Sequence, residues 1–156
     1  MIRSLVFAGC LLLLARSAAA QTTVPVDVSW AYLHVDPADV TNAAVPIDLA
    51  GLGLSPGYTI SLECAGDWDP GPGDDVQTNL LGVFSNGEVL LDPTLLHRVP
   101  GAIDAGLYNF SGGTWPNGQP TDIAEDFVIG ATATTIVVPP GATHLFVTPA
   151  DIYYRD

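Results

Sequence analysis

The sequence contains no lysine and only four arginines, against 17 aspartates and glutamates, so its formal charge is −13. Proteins that bind nucleic acid or anionic membranes do so through clusters of basic side chains. We therefore expect neither nucleic acid nor membrane as a partner. A surface this acidic suits a protein that binds cations, and equally one whose carboxylates only keep it soluble.

Helical periodicity is nearly absent after residue 20. Apolar and polar residues alternate instead, and glycine and proline separate the alternating runs, which is typical of β-strands. The predicted strands cover residues 24–30, 45–49, 58–64, 80–84, 88–91, 127–129, 135–138 and 144–148. Asn86-Gly87 predicts a tight hairpin between the fourth and the fifth of these strands. The sequence thus predicts an all-β fold, a two-sheet antiparallel sandwich or jelly roll.

Residues 1–20 have the composition of a signal peptide. Arg3 supplies a positive start, residues 5–14 form an apolar core, and residues 18–20 are an Ala-Ala-Ala cleavage signal. The apolar core is too short to cross a bilayer, which takes about 20 residues. We expect cleavage to leave residues 21–156 as one β-sandwich domain, secreted to the extracellular space or the periplasm. Lipidation of Cys10 is the alternative.

Cleavage would also change the charge and the cysteine content. It removes two of the four arginines and one of the two cysteines, leaving a formal charge of −15 and a single cysteine, Cys64. We therefore expect no disulfide within the exported chain. Cys64 continues the alternation of a predicted strand, which favours a buried thiol in the core.

The first candidate site is an acidic loop, residues 67–75, with four carboxylates on a backbone rich in glycine and proline. Carboxylate oxygens on a sharply turning loop are typical ligands of calcium. Asp67 and Asp69 flank Trp68, whose aromatic face would stack on a sugar ring. The alternative is a solvated acidic loop in which Trp68 closes one end of the sandwich.

Residues 151–156 form a second candidate site. Asp151 and Asp156 are close enough for one loop to present both carboxylates to a single ion. Tyr153 would add a stacking face for a sugar. The alternative is a final strand with a frayed end.

Signals of catalysis are weak in this sequence. It has no His-Glu-x-x-His motif and no phosphate-binding glycine loop, and its three histidines lie far apart. A glycosidase needs two carboxylates that face each other across a cleft. Because 17 acidic residues offer many such pairs, no single pair is informative. We therefore predict that the protein is not an enzyme.

Four segments together resemble one family. They are residues 66–68 (Gly-Asp-Trp), 126–129 (Asp-Phe-Val-Ile), 138–147 (Val-Pro-Pro-Gly-Ala-Thr-His-Leu-Phe-Val) and 151–156. Over residues 45–156 the chain is similar to the calcium-dependent galactophilic lectins, bacterial secreted proteins with a galactose-binding-like jelly roll. In that family, calcium is held by a loop with an Asp, a few residues, and two adjacent Asn followed by Ser-Gly. A tyrosine carbonyl in the loop after Gly-Trp is a further calcium ligand in that family.

The resemblance implies a calcium site with Asp151 as the carboxylate ligand of the loop and Asp156 near the first Asn. Asp69 lies near the place of the tyrosine, although the residue differs. The second Asn and the Ser-Gly would follow Asp156, so we expect the last strand of the domain to be missing. Its absence would leave an open sheet edge, through which copies of the chain could form a homo-oligomer.

Two hypotheses for the function follow from the sequence. The first is a secreted, non-catalytic, lectin-like module that binds a glycan with the help of calcium. The alternative is a structural or adhesive extracellular β-sandwich with no ligand.

Overall fold

The structure, a computed structural model, describes residues 4–5, 21–32, 42–69, 77–91, 98–107 and 123–150. Within these ranges the chain forms strands and turns, and no helix there is long and apolar enough to cross a membrane. The strands are β1 (Ser4–Leu5), β2 (Gln21–Thr22), β3 (Trp30–Ala31), β4 (Asn42–Ala43), β5 (Ile47–Asp48), β6 (Thr59–Leu62), β7 (Leu80–Ser85), β8 (Ala102–Ile103), β9 (Phe127–Ile129), β10 (Thr134–Val137) and β11 (His144–Pro149). The all-β prediction is confirmed.

The described strands form two larger sheets. One has the order β10-β6-β1-β2, and the other has the order β5-β11-β7-β8 with β9 also paired to β7. The longest ladders, β7 with β11 and β6 with β10, are both antiparallel. β3 and β4 form a short parallel pair of their own. This arrangement is consistent with the predicted β-sandwich.

The main hydrophobic core takes side chains from both sheets. Ile60, Leu62 and Ile136 come from β6 and β10, and all three are almost fully buried. The second sheet contributes Leu80, Phe84, Phe127, Ile129, Leu145 and Val147. Alternate residues of a strand point to the same face of its sheet, which is why the period-two pattern located most of these core positions from the sequence.

β7 is buried on both faces. Leu80 and Phe84 belong to the main core, whereas Leu81 and Val83 belong to a second buried cluster on the opposite face. The other members of that cluster are Tyr32, Ala44, Val99, Ile123 and Phe146. A strand covered on both sides is continuously apolar, and residues 80–84 have that composition. The fold is therefore thicker than a sandwich with one core.

Gly82 lies in the middle of β7, where β9 passes closest. A Cβ at this position would lie 2.9 Å from Ile129 Cδ1 and 3.0 Å from Phe127 Cζ. Contacts this short would force the neighbouring side chains to move. Glycine therefore lets β9 pack tightly on β7, and Phe127 stacks on Phe84 with the ring centroids 5.6 Å apart.

β1 falls within the predicted signal peptide. It pairs in parallel with β6 on one side and with β2 on the other. The structure is that of the uncleaved chain, and removal of residues 1–20 would take β1 out of the sheet. Cleavage itself stays a prediction.

The structure corrects the prediction for Cys64. The side chain is buried, as expected, but it is disulfide-bonded. No free cysteine occurs among the described residues. The prediction assumed that Cys10 leaves with the signal peptide, whereas the uncleaved chain retains both cysteines of the sequence.

The predicted hairpin at Asn86-Gly87 is wrong. Residues 86–88 form a bend, but the chain after it makes no strand at 88–91, and β7 pairs with β8 instead. The Asn86 N–H donates to the carbonyl of Gly101, 2.9 Å away. A Cβ on Gly101 would collide with the Asn86 side chain, so the two segments meet at a glycine. The chain does change direction at Asn86-Gly87, but the strand that pairs with the end of β7 is β8, which comes after a longer connection.

Two predicted strands are shorter than expected. Val28 and Val45 are about half exposed rather than facing the core. Around Val28 the chain turns, because the Trp30 N–H donates to the carbonyl of Asp27 at 3.0 Å. In the same turn Oδ1 of Asp27 accepts the Ser29 N–H at 2.9 Å, and such local bonds to a short polar side chain compete with strand pairing.

Candidate functional site

A bridge between Trp68 and Gln77 joins the chain on the two sides of the acidic loop. Trp68 and Gln77 form an antiparallel bridge, in which each N–H donates to the carbonyl of the other at 3.0 and 2.8 Å. Such a hydrogen-bonded pair holds its two Cα atoms about 5.5 Å apart. Trp68 and Gln77 therefore lie side by side at the base of the acidic loop.

Trp68 anchors this bridge from inside the protein. Its ring is 7 % exposed and belongs to the main core. The indole Nε1–H donates to the carbonyl of Asn79 at 3.1 Å, which gives the buried ring the hydrogen-bond partner that its N–H requires. This placement fits the alternative in which Trp68 closes one end of the sandwich.

The carbonyl of Asn79 also accepts a second hydrogen bond. The N–H of Ala150, which directly follows β11, donates to it at 3.2 Å. One oxygen atom thus joins the base of the acidic loop to the end of β11. No pattern in the sequence indicates this contact, because the two segments lie more than 70 residues apart along the chain.

The predicted site residues fall into two groups. Asp67 and Asp69 are exposed on either side of buried Trp68, as the alternation of an extended segment requires. Asp151, Tyr153 and Asp156 lie outside the described residues. So do Asp74 and Asp75 of the acidic loop.

The described part of the chain does not by itself assemble a metal centre. No group of three or more histidine, cysteine, aspartate or glutamate side chains is arranged there to hold an ion. Asp67 and Asp69 supply oxygen donors of the type that calcium prefers, but calcium takes six to eight ligands. A site at this end of the fold needs further donors from residues 70–76 or 151–156.

Sequence reasoning missed a buried charge. Arg98 is the only basic side chain among the described residues, and it is 3 % exposed. Its Nε donates to the carbonyl of Leu91 and its Nη1 to the carbonyl of Ala31, both at 3.0 Å. Asp126 is also buried, and its N–H donates to the carbonyl of Ile123 at 2.9 Å. These two carbonyl partners tie Arg98 to residues 31 and 91, which makes it a structural tether beside the second buried cluster.

A polar cluster orders the turn before β3. Oδ1 of Asp27 accepts hydrogen bonds from the Ser29 hydroxyl at 2.6 Å and from the Ser29 N–H at 2.9 Å. The Ser29 hydroxyl in turn accepts one from Asn42 Nδ2 at 2.7 Å, which links the turn to β4. Hydrogen bonds to a carboxylate favour its charged form, so they lower the pKa of Asp27.

This lowered pKa predicts an acid-dependent loss of stability. A carboxyl whose pKa is depressed in the folded protein stabilises it above the ordinary value of 3.8, and that contribution disappears as the pH falls through the folded pKa. We expect Asp27→Asn to cost no more than about 1 kcal/mol of unfolding free energy at neutral pH, because the group is largely exposed.

Denaturant unfolding of both proteins between pH 7 and about pH 2 measures this contribution. The difference between wild type and Asp27→Asn should shrink below pH 3.8. A difference that is constant over the whole pH range would mean that the charge of Asp27 contributes nothing.

One motif with the spacing of a catalytic serine motif was not considered in the sequence analysis. Residues 53–57 read Gly-Leu-Ser-Pro-Gly, which has the spacing of a nucleophile elbow. In a nucleophile elbow the serine lies on a sharp turn from a strand into a helix. Here the segment links β5 to β6, and the carbonyl of Ser55 accepts the N–H of Tyr58 at 3.0 Å. The motif is therefore part of a turn between two strands.

One cavity among the described residues lies away from the acidic loop. Its volume is about 210 Å³, and its lining residues are Ser85, Asn86, Gly87, Val89, Pro100 and Gly101. Ser85 ends β7, whereas the acidic loop closes near the start of that strand. Ligand pockets usually measure about 300–1,000 Å³. The geometry at the acidic loop, rather than this cavity, is the basis for a functional proposal.

No known protein family, curated protein or solved structure matches this chain.

Proposed function

We propose that the protein is an exported, non-catalytic module that binds a glycan through a calcium ion. The observation that carries this proposal is the shared carbonyl of Asn79. It accepts the indole N–H of Trp68 and the N–H of Ala150, so the acidic loop and the residue before Asp151 meet at one point. The start of the acidic loop and the residue that precedes the second acidic segment therefore share one hydrogen-bond acceptor.

In this proposal the two segments share one ion. Asp151 and Asp156 provide carboxylate ligands from the segment after β11, and Asp69 adds an oxygen donor from the acidic loop. The calcium ion coordinates sugar hydroxyls directly, and Asp67 accepts a hydrogen bond from a further hydroxyl. This is the arrangement that a galactose-binding-like jelly roll would have.

The proposal gives Trp68 and Tyr153 different roles. Trp68 is buried, with its N–H bonded to Asn79, so it positions the loop from below. The aromatic face for the sugar then comes from Tyr153. Rigid support beneath a binding loop keeps its donors in place before the ligand arrives, which lowers the entropic cost of binding.

A glycan array with and without chelator tests this function. We expect binding to a glycan in millimolar calcium, no binding after chelation, and no binding by Asp69→Asn in either condition. Glu88→Gln is the matched control, because it removes one exposed negative charge near the other end of β7. Binding that survives chelation, or that Glu88→Gln also loses, would contradict the proposed site.

A structural or adhesive domain without a ligand is the second candidate function. The burial of Trp68 favours it, because the loop at this end then needs no ligand to explain its aromatic residue. The two functions predict opposite outcomes on the array. A structural domain gives no glycan signal in any condition and folds equally well without calcium.

A further inference from the structure

β10 is an edge strand. Among the described residues its only strand neighbour is β6, with Ile136 opposite Ile60. At the end of this ladder the Val138 N–H donates to the carbonyl of Tyr58 at 2.9 Å. In an antiparallel ladder alternate residues direct their backbone groups to opposite sides. The N–H and C=O groups of Thr135 and Val137 therefore point away from β6.

This edge carries no charge. Residues 127–143 contain no aspartate, glutamate, lysine, arginine or histidine, in a chain whose formal charge is −13. Edge strands are normally protected from pairing by charged side chains, prolines, bulges or covering segments. Here Thr135 is exposed and Val137 is 52 % exposed, so neither side chain beside this edge is buried.

The charge distribution favours a second copy of the chain as the partner. Two strongly acidic molecules repel each other at most orientations, and the repulsion is weakest where the surface is neutral. The β10 edge is neutral and rich in β-branched residues, which pack well between paired strands. A two-fold axis also makes such an edge self-complementary, because each copy presents the same donors and acceptors.

We propose that two copies pair through β10, antiparallel, around a two-fold axis at Ile136. Thr135 of each copy then lies opposite Val137 of the other, so that all four outward N–H groups meet outward carbonyls. Pro139 has no N–H to donate, which ends the ladder on that side. The two sheets that contain β10 become one continuous sheet. This edge is distinct from the one expected beyond Asp156, and the pairing does not depend on calcium.

The dimer should be sensitive to salt. The new ladder is short, so the association is weak, and the remaining surfaces of the two copies repel each other. Salt shortens the range of that repulsion, which is about 10 Å at 0.1 M salt and about 3 Å at 1 M. We therefore expect the dimer to become tighter as the salt concentration rises.

Sedimentation equilibrium of the purified protein, in chelator and at low and high salt, tests the proposal. Val137→Lys places like charges across the axis, and Thr135→Pro removes one outward donor at a position where an edge strand tolerates proline. Each variant should weaken the dimer at least tenfold. Val89→Lys is the matched control, because Val89 is 57 % exposed and lies outside β10.

Three results would overturn the pairing. One is a wild-type protein that stays monomeric at every concentration and salt level. Another is a dimer that Val137→Lys and Thr135→Pro leave unchanged, which would place the contact elsewhere. The third is a dimer that Val89→Lys weakens as much as Val137→Lys does. Circular dichroism of each variant confirms that folding is retained.

Discussion

Replacing Trp68 by alanine should lower the free energy of unfolding by about 3–5 kcal/mol, the usual cost of truncating a buried aromatic side chain. The ring is 7 % exposed and packs in the main core, and its Nε1–H bonds the carbonyl of Asn79. The variant leaves a cavity beneath the bridge with Gln77 and removes the tether to Asn79. Chemical denaturation of both proteins measures the loss directly.

Trp68→Phe separates the two contributions of this residue. It keeps most of the apolar volume but loses the indole N–H, so we expect a smaller cost, with about 1 kcal/mol from the lost hydrogen bond. If Trp68 instead stacked on a sugar at the surface, Trp68→Ala would abolish glycan binding and leave stability within about 0.5 kcal/mol of wild type. That outcome would falsify the anchoring role.

Replacing Arg98 by methionine should cost about 3 kcal/mol, since a hydrogen bond from a charged donor contributes about 1.5–3 kcal/mol and two are lost. The carbonyl of Leu91 would lose its bond from Nε, and that of Ala31 would lose its bond from Nη1. Methionine keeps the apolar length, so the loss reports on the guanidinium group.

Arg98→Lys is the control for charge alone. Lysine keeps the positive charge but lacks the planar fork that reaches two carbonyls in different directions. We expect a stability between those of the wild type and Arg98→Met. If Arg98→Met unfolds at the same denaturant concentration as the wild type, the guanidinium is not a tether, and an apolar side chain fills its place equally well.

The strands that were predicted well owe this to strong alternation. β6, β9, β10 and β11 each fall within one residue of a predicted run or inside it, and Ile60 and Leu62 face the core as expected. The pairing of β7 with β8 was not predictable in the same way. β8 is only two residues long and lacks an alternating pattern. Short strands are selected by the sheet that they join rather than by their own sequence.

The candidate site shows a similar division. The sequence identified the two acidic segments, because clustered carboxylates stand out in composition. It could not show that Trp68 and Ala150 both donate to the carbonyl of Asn79, since this contact depends on the end of β11 meeting the start of β7. The role of Trp68 was left open between a sugar platform and a core plug. Burial favours the plug, because the ring is 7 % exposed and packs in the main core.

The buried Arg98 had no signal in the sequence. A single basic residue in an acidic chain is ordinarily solvated, and arginine is rarely fully buried unless it has partners. Its partners here are backbone carbonyls from residues 31 and 91, which no side-chain pattern reveals. The burial of Arg98 and its two carbonyl partners are therefore seen only in the folded structure.

The central claim, a calcium ion held where the two acidic segments meet, is tested most directly by thermal unfolding in chelator, in magnesium and in millimolar calcium. A ligand at about 100 times its dissociation constant adds about 2.7 kcal/mol, which raises the midpoint by several degrees. We predict this rise with calcium alone, and its loss in Asp69→Asn but not in Glu88→Gln. A cooperative transition at one temperature in all three solutions would contradict the calcium site and favour the structural module.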